Sequence, residues 1–232
     1  MAGPVTKHLD GDAVAAALMS GIHRVIGEQE LLNRINVFPV ADSDTGTNLT
    51  LTLGAALNVL QAPAEKHLGT LLAAVADVLL DGARGNSGAI IAQFFQGVSD
   101  SAGEITRFTT YTFSKSVSLG SEYAHDALSK PREGTILSAI AVFADSVAHQ
   151  VSELREAEFA AVLRTALQKV EEAVADTPNQ LDVLRKAGVV DAGAKGFAEL
   201  VAGISDYLST GDIVPMPEVS LQDDIAPPVE FA

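Results

Sequence analysis

The 232-residue chain has no cysteine and no tryptophan. Without thiols there can be no disulfides, thiolate zinc sites or cysteine nucleophiles, so any metal must be held by oxygen or imidazole, which favours hard cations. Aromatic residues make up only 5% of the chain, too few for the aromatic and branched surfaces that sheets use, whereas alanine is abundant. Basic residues are scarce too: 15 Lys and Arg against 30 Asp and Glu give a formal net charge of −15. A chain this acidic is a poor partner for nucleic acid or an anionic membrane surface. No segment approaches the roughly 18 uninterrupted apolar residues of a membrane span, and the N-terminus lacks a basic region followed by an apolar one. These absences describe a soluble, cytoplasmic protein, and its 47% hydrophobic content is enough for one large core.

What remains is helical periodicity. Asp10 or Asp12 can cap a first helix whose stripe of Val14, Leu18, Ile22 and Val25 runs to about Asn33. Pro39 forces the following segment into a structured loop. Further helices are expected over residues 47–59, 66–82, 89–98, 107–128, 135–151, 157–174 and 194–208, with a short segment at 181–186. Gln61-Ala62-Pro63, Gly82 to Gly88, Pro131 and Thr177-Pro178 are the expected breaks. From Gly211 onward Pro215, Pro217, Pro227 and Pro228 interrupt any period, as do Asp212, Glu218, Asp223 and Asp224. Residues 1–210 therefore form the domain, and 211–232 a Pro-rich acidic tail or interdomain linker. About eight amphipathic helices with short loops favour an all-α antiparallel bundle or closed helical barrel.

The sharpest chemical feature is Asp42-Ser43-Asp44-Thr45-Gly46-Thr47-Asn48. Two carboxylates one residue apart, before a helix N-terminus, can converge on Mg²⁺ while the helix amides attract phosphate. An N-cap at Asp44 or Thr45 and an Asx-turn at Asp42 explain the same string without a ligand. Gly82-Ala83-Arg84-Gly85-Asn86-Ser87-Gly88 is a second phosphate-loop candidate, and equally a tight helix-to-helix turn; it is not a Walker A loop. Glu133-Gly134-Thr135 and Asp191-Ala192-Gly193 are two more loop-to-helix junctions, each explained singly by an N-cap. Four such junctions exceed what packing requires, and loops of matching parity lie at one end of an up-and-down bundle. His8, His23, His67, His125 and His149 show no metal-like spacing, and there is no hydrolase elbow or zinc-protease motif.

Taken together these junctions resemble the DhaL-like nucleotide-binding domain of dihydroxyacetone kinases, most closely the N-terminal kinase domain of bacterial fatty acid kinases. The matching stretches begin with Leu32-Asn33-Arg34-Ile35-Asn36-Val37-Phe38-Pro39-Val40, the Asp42 to Asn48 string and Gly82 to Gly88. They continue with Lys130-Pro131-Arg132-Glu133-Gly134-Thr135-Ile136-Leu137 and Ala187-Gly188-Val189-Val190-Asp191-Ala192-Gly193-Ala194-Lys195-Gly196. The resemblance implies a barrel of about eight helices with Mg·ATP bound across its loops at one end. By position it implies Asp42 and Asp44 as catalytic metal-binding carboxylates, with Asn36 as the third ligand. Gly46, Thr47, Asn48, Asn86, Ser87 and Gly88 would cradle phosphate, while Gly134, Thr135, Asp191, Ala192 and Gly193 would border the nucleoside. The implied activity is transfer of the γ-phosphoryl group to a fatty acid carboxylate presented by a DegV-like lipid-binding protein or fused domain, with assembly into a homodimer left open. Two alternatives stand beside it: a dihydroxyacetone (glycerone) kinase subunit, in which histidine usually follows the second aspartate where Thr45 stands, and a non-catalytic nucleotide- or lipid-binding regulatory module. Ser43 replaces the family's usual glycine; if that position needs φ > 0, serine costs about 1 kcal/mol.

Overall fold

A computed structural model describes residues 7–62, 67–153 and 157–217. In chain order the elements are β1 (His8–Asp10), α1 (Gly11–Gly27), α2 (Gln29–Ile35), α3 (Thr45–Gly54), α4 (Leu57–Leu60), α5 (Leu68–Gly82) and α6 (Gly85–Ala102). They continue with β2 (Arg107–Thr109), α7 (Thr110–Asp126), α8 (Ile136–Glu153), α9 (Phe159–Gln180), α10 (Asp182–Ala187) and α11 (Ala192–Thr210). Eight of the helices among the described residues have ten residues or more, as the periodicity implied.

The long helices close a ring: α1 packs on α11, α11 on α9, α9 on α8, α8 on α7, α7 on α6, α6 on α5, and α5 on α1. Helix α3 sits against α1, α5, α6 and α11 at one end. Small residues allow two of these crossings. A Cβ placed on Gly203 would lie 2.6 Å from the Gly21 Cα, and one on Gly97 would lie 2.8 Å from the Gly120 Cα, so α1·α11 and α6·α7 meet backbone to backbone. Ser116 Oγ donates to Ser101 Oγ at 3.2 Å, and with the Gly97·Gly120 contact this pairing sets α6 and α7 antiparallel.

The scarce aromatics are concentrated inside. Phe95, Phe94, Phe197, Phe143 and Phe113 form a continuous edge-to-face chain that branches to Phe108 and Phe159, with ring centroids 5.5–6.4 Å apart. They leave a wholly apolar cavity of about 70 Å³.

Several expectations are corrected. The first helix does not run through to Asn33: it breaks at Glu28, just after Gly27, the weakest helix former there. Helix α3 begins at Thr45 and stops at Gly54 instead of continuing to Val59. Gly85 to Gly88, expected as loop, are the first turn of α6. Residues 107–109, expected as helix, form β2, which pairs antiparallel with β1 so that Leu9 faces Phe108. Pro178 does not end its helix, which continues to Gln180. Proline has no amide for the Val174 carbonyl, and the buried Thr177 hydroxyl supplies the missing bond, donating to Val174 O at 2.7 Å.

Residues 212–217, in the segment expected to be tail or linker, lie along α1. Val214 N donates to Ser20 Oγ at 3.1 Å, and His23 Nδ1 donates to Val214 O at 2.7 Å. The expected break at Pro63 and the tail beyond residue 217 lie outside the described residues. No helix among the described residues is long and apolar enough to cross a membrane.

Candidate functional site

The N-termini of α3, α6, α8 and α11 open onto one cleft of about 490 Å³. They touch one another there: a Cβ on Gly193 at the start of α11 would meet Ser87 Oγ at 3.1 Å and Ile136 Cβ at 3.2 Å. Gly85, with φ of 59°, lies against the Asn48 side chain. Four positive helix ends facing one space make an electrostatic preference for anions.

The first wall is the loop before α3. Asp44 occupies the N-cap position but makes no side-chain cap hydrogen bond. Asn33 of α2 does that work, its Oδ1 accepting from Thr47 N at 3.0 Å while its Nδ2 donates to Thr47 Oγ1 at 3.0 Å. The capping explanation for Asp44 therefore fails, and its carboxylate is left facing the cleft. Asn36, 3% exposed, donates through Nδ2 to Asp42 Oδ1 at 2.7 Å. Its own Oδ1 is buried without a partner, although buried amide oxygens are almost always satisfied. A flipped amide would set two oxygens against each other, so the bond to Asp42 fixes the orientation.

Among the described residues no group of three or more His, Asp or Glu could hold a metal. Two carboxylates with an orphaned amide oxygen are nevertheless the hard-oxygen set that suits Mg²⁺, which retains water and phosphate oxygens for its other positions. Between the carboxylates, Ser43 has φ of 56°, the one non-glycine residue with positive φ among those described. The Phe38–Pro39 peptide is cis.

On the other side Thr135 is buried at the start of α8, its Oγ1 donating to Arg132 O at 2.7 Å. Asp191, 5% exposed, caps α11 by accepting from Ala194 N at 2.8 Å, and its own amide donates to Thr177 Oγ1 at 3.0 Å. Burial pushes its carboxyl up to about 6, against the opposing pull of the Ala194, Ile136 and Gly193 amides.

Of the residues singled out from the sequence, Asn36, Asp42, Asp44, Asn48, Asn86, Ser87, Thr135, Asp191 and Gly193 line this cleft. Gly46, Thr47, Gly88, Gly134 and Ala192 do not. Gly46 backs onto the Gln29 carbonyl, Thr47 is held by Asn33, and Gly88 packs on the Thr52 side chain. Gly134, with φ of 78°, faces Gln180 and Leu181, and Ala192 is buried. The cleft also takes in Phe38, Val40, Ile90, Leu128, Ile136 and Leu137, an apolar wall, and two cations, Lys130 and Arg132. The sequence reading assigned none of these a role. The available signal was a pair of bases beside a glycine junction in a strongly acidic chain.

The helical fold is shared with known proteins. The model of the DAK2 domain matches residues 39–206, and the chain belongs to that family. It is 33% identical over 222 residues to protein YloV of Bacillus subtilis, covering 95% of this chain and 40% of that protein. It is 34% identical over 199 residues to an uncharacterized protein of Staphylococcus saprophyticus, covering 86% of this chain and 36% of the relative. The chain thus spans well under half the length of these relatives. In fold it is similar to the dihydroxyacetone kinase of C. freundii in complex with AMP-PNP and Mg²⁺. The TM-score is 0.62 at 17% identity, covering 87% of this chain and 35% of that one.

Proposed function

We propose that this chain is an Mg·ATP-dependent phosphotransferase domain of fatty acid kinase type. The observation that carries the reading is the pair Asp42 and Asp44 with the unpartnered Asn36 Oδ1, set on a cleft ringed by four helix N-termini. Asp42, Asp44 and Asn36 would hold Mg²⁺ here; when bound, the ion neutralises charge on the phosphate oxygens. The amides opening α3 and α6, with Asn48, Asn86 and Ser87, orient the phosphates, and Thr135 and Gly193 border the nucleoside. Transfer forms a bond from an acceptor carboxylate oxygen to the γ-phosphorus and breaks the bond to the β–γ bridging oxygen, which leaves with the electron pair on ADP. A carboxylate is already ionised at neutral pH, so the chain needs no general base, and positioning carries the catalysis.

The acceptor is a fatty acid presented by a DegV-like lipid-binding protein or fused domain in the cytoplasm. Residues 1–210 form the catalytic unit and 211–232 the tail or linker. The apolar wall of Phe38, Val40 and Leu128 supports an acceptor with hydrocarbon near its reactive end. A dihydroxyacetone kinase subunit is the weaker reading, since Thr45 stands where such subunits carry histidine.

Calorimetry with ATP and Mg²⁺ on the chain and on Asp42→Ala/Asp44→Ala tests the site. We expect metal-dependent binding that the double variant loses; metal-independent binding, or binding intact in the variant, refutes the assignment. Acyl phosphate formed on addition of a fatty-acid-loaded DegV-like protein would identify the acceptor. Its absence with Mg·ATP binding intact would instead favour a regulatory module.

A further inference from the structure

Lys130 and Arg132 stand on the connection between α7 and α8 and line the cleft. Among the described residues Arg24, Lys169, Arg185 and Lys195 are ion-paired, whereas Arg34, Arg84, Arg107, Lys115, Arg164 and Lys186 are not; what sets Lys130 and Arg132 apart is their place on the cleft. Neither Lys130 nor Arg132 is paired with any carboxylate among the described residues. The acid beside them is turned away, because Glu133 Oε2 accepts from Ser138 Oγ at 2.6 Å. The backbone that carries them is pinned to α8 by Thr135 Oγ1 donating to Arg132 O at 2.7 Å and by Gly134 N donating to Ser138 Oγ at 2.9 Å. Two like charges, two residues apart on a connection whose backbone is pinned to α8, therefore line a cleft whose helix dipoles already favour an anion.

We propose that Lys130 and Arg132 bind the polyphosphate chain of the nucleotide, holding the phosphate oxygens that the metal leaves uncovered. This rests on the Mg·ATP reading above. A nucleoside triphosphate carries more negative charge than one divalent cation cancels, and Asp42 and Asp44 add two more charges to the same cleft. The chain's own cations on the α7–α8 side complete the neutralisation. An ammonium with three donors and a forked guanidinium can each reach oxygens of adjacent phosphates.

The test is calorimetric titration of Mg·ATP into the full chain and into Lys130→Gln, Arg132→Gln, the double variant, and Lys130→Arg, each at two ionic strengths. Magnesium tripolyphosphate, read by its shift of the melting temperature, serves as a nucleoside-free probe. Each neutral variant is expected to weaken Mg·ATP about fivefold. The double variant should bind with a shallower salt dependence and lose protection by tripolyphosphate. Lys130→Arg should stay within about twofold of the wild type, and the melting temperature without ligand should not move, because both side chains are exposed. If the wild type binds Mg·ATP and the double variant binds as tightly with the same salt dependence, the proposal is overturned and the nucleotide site stands. If the wild type does not bind Mg·ATP, both fall.

Discussion

Asp191 makes stability depend on pH in the direction opposite to that of most carboxylates. Its folded-state pKa is about 6, raised by burial from a reference value of 3.8. The folded protein therefore holds this proton more tightly than the unfolded chain does, and stability falls as pH rises from about 4 to about 6. Below that window the group is protonated in both states and exacts no penalty; above it the full penalty is present and constant. A shift of about 2 units corresponds to ~3 kcal/mol. The measurement is a difference that isolates this one group: urea unfolding of wild type and Asp191→Asn at half-unit steps from pH 4 to pH 7.5. Asparagine keeps the shape and one acceptor oxygen for the Ala194 amide, and it removes the charge. The wild type should lose stability relative to the variant by up to ~3 kcal/mol across the window, with the curves parallel outside it. A difference that stays flat from pH 4 to pH 7, or one that runs the other way, would refute the argument that desolvation outweighs the three amides around this carboxyl.

Two further substitutions probe the loop before α3. Ser43→Gly relieves a left-handed residue that costs about 1–2 kcal/mol and returns part of this as extra unfolded-chain entropy, so a net stabilisation of ~0.5–1 kcal/mol is expected in thermal or urea unfolding; a destabilised variant would show that the serine side chain has a role of its own. Asn33→Ala removes the cap of α3 and should cost about 1 kcal/mol. It also leaves Asp44 as the nearest acceptor for the first-turn amides, so Mn²⁺ or Mg²⁺ affinity by calorimetry should fall several-fold without any change to a proposed ligand; unchanged metal affinity would separate capping from metal binding.

The helices were legible because they answer to a single period, and the clustering of four junctions at one end followed from parity alone. What escaped the sequence reading was decided by partners distant in the chain. Pro178 looks like a stop because its own helix cannot satisfy Val174 O, and only the neighbouring Thr177 hydroxyl reverses that. The strand at residues 107–109 exists because residues 8–10 lie beside it. Gly85 to Gly88 read as a loop because glycine is a poor helix former, yet Thr52 Oγ1 accepts from Arg84 N at 3.0 Å and starts α6 there. The acidic half of the cleft was visible as a local string, whereas Lys130 and Arg132 acquire meaning only when the starts of α3 and α8 are seen to line the same cleft.

Asn33 shows how such a site remains usable. An aspartate just ahead of a helix ordinarily turns its carboxylate onto the first-turn amides, and that is how Asp191 is used at α11. At α3 the same geometry would draw Asp44 away from any cation. The fold prevents this by bringing a neutral amide from α2 to the Thr47 amide and hydroxyl, so that the capping contact is made by a residue with no charge to spare. Asn36, three residues further on, performs the matching task for Asp42: it orients one carboxylate oxygen and leaves its own oxygen open. Both asparagines leave α2 on its way into the loop, so the break at Glu28 that separates α2 from α1 also sets the direction from which they reach the aspartates. Restoring a continuous helix there would move both amides together, and the expected outcome is loss of the cation binding proposed for Asp42 and Asp44 with neither aspartate altered.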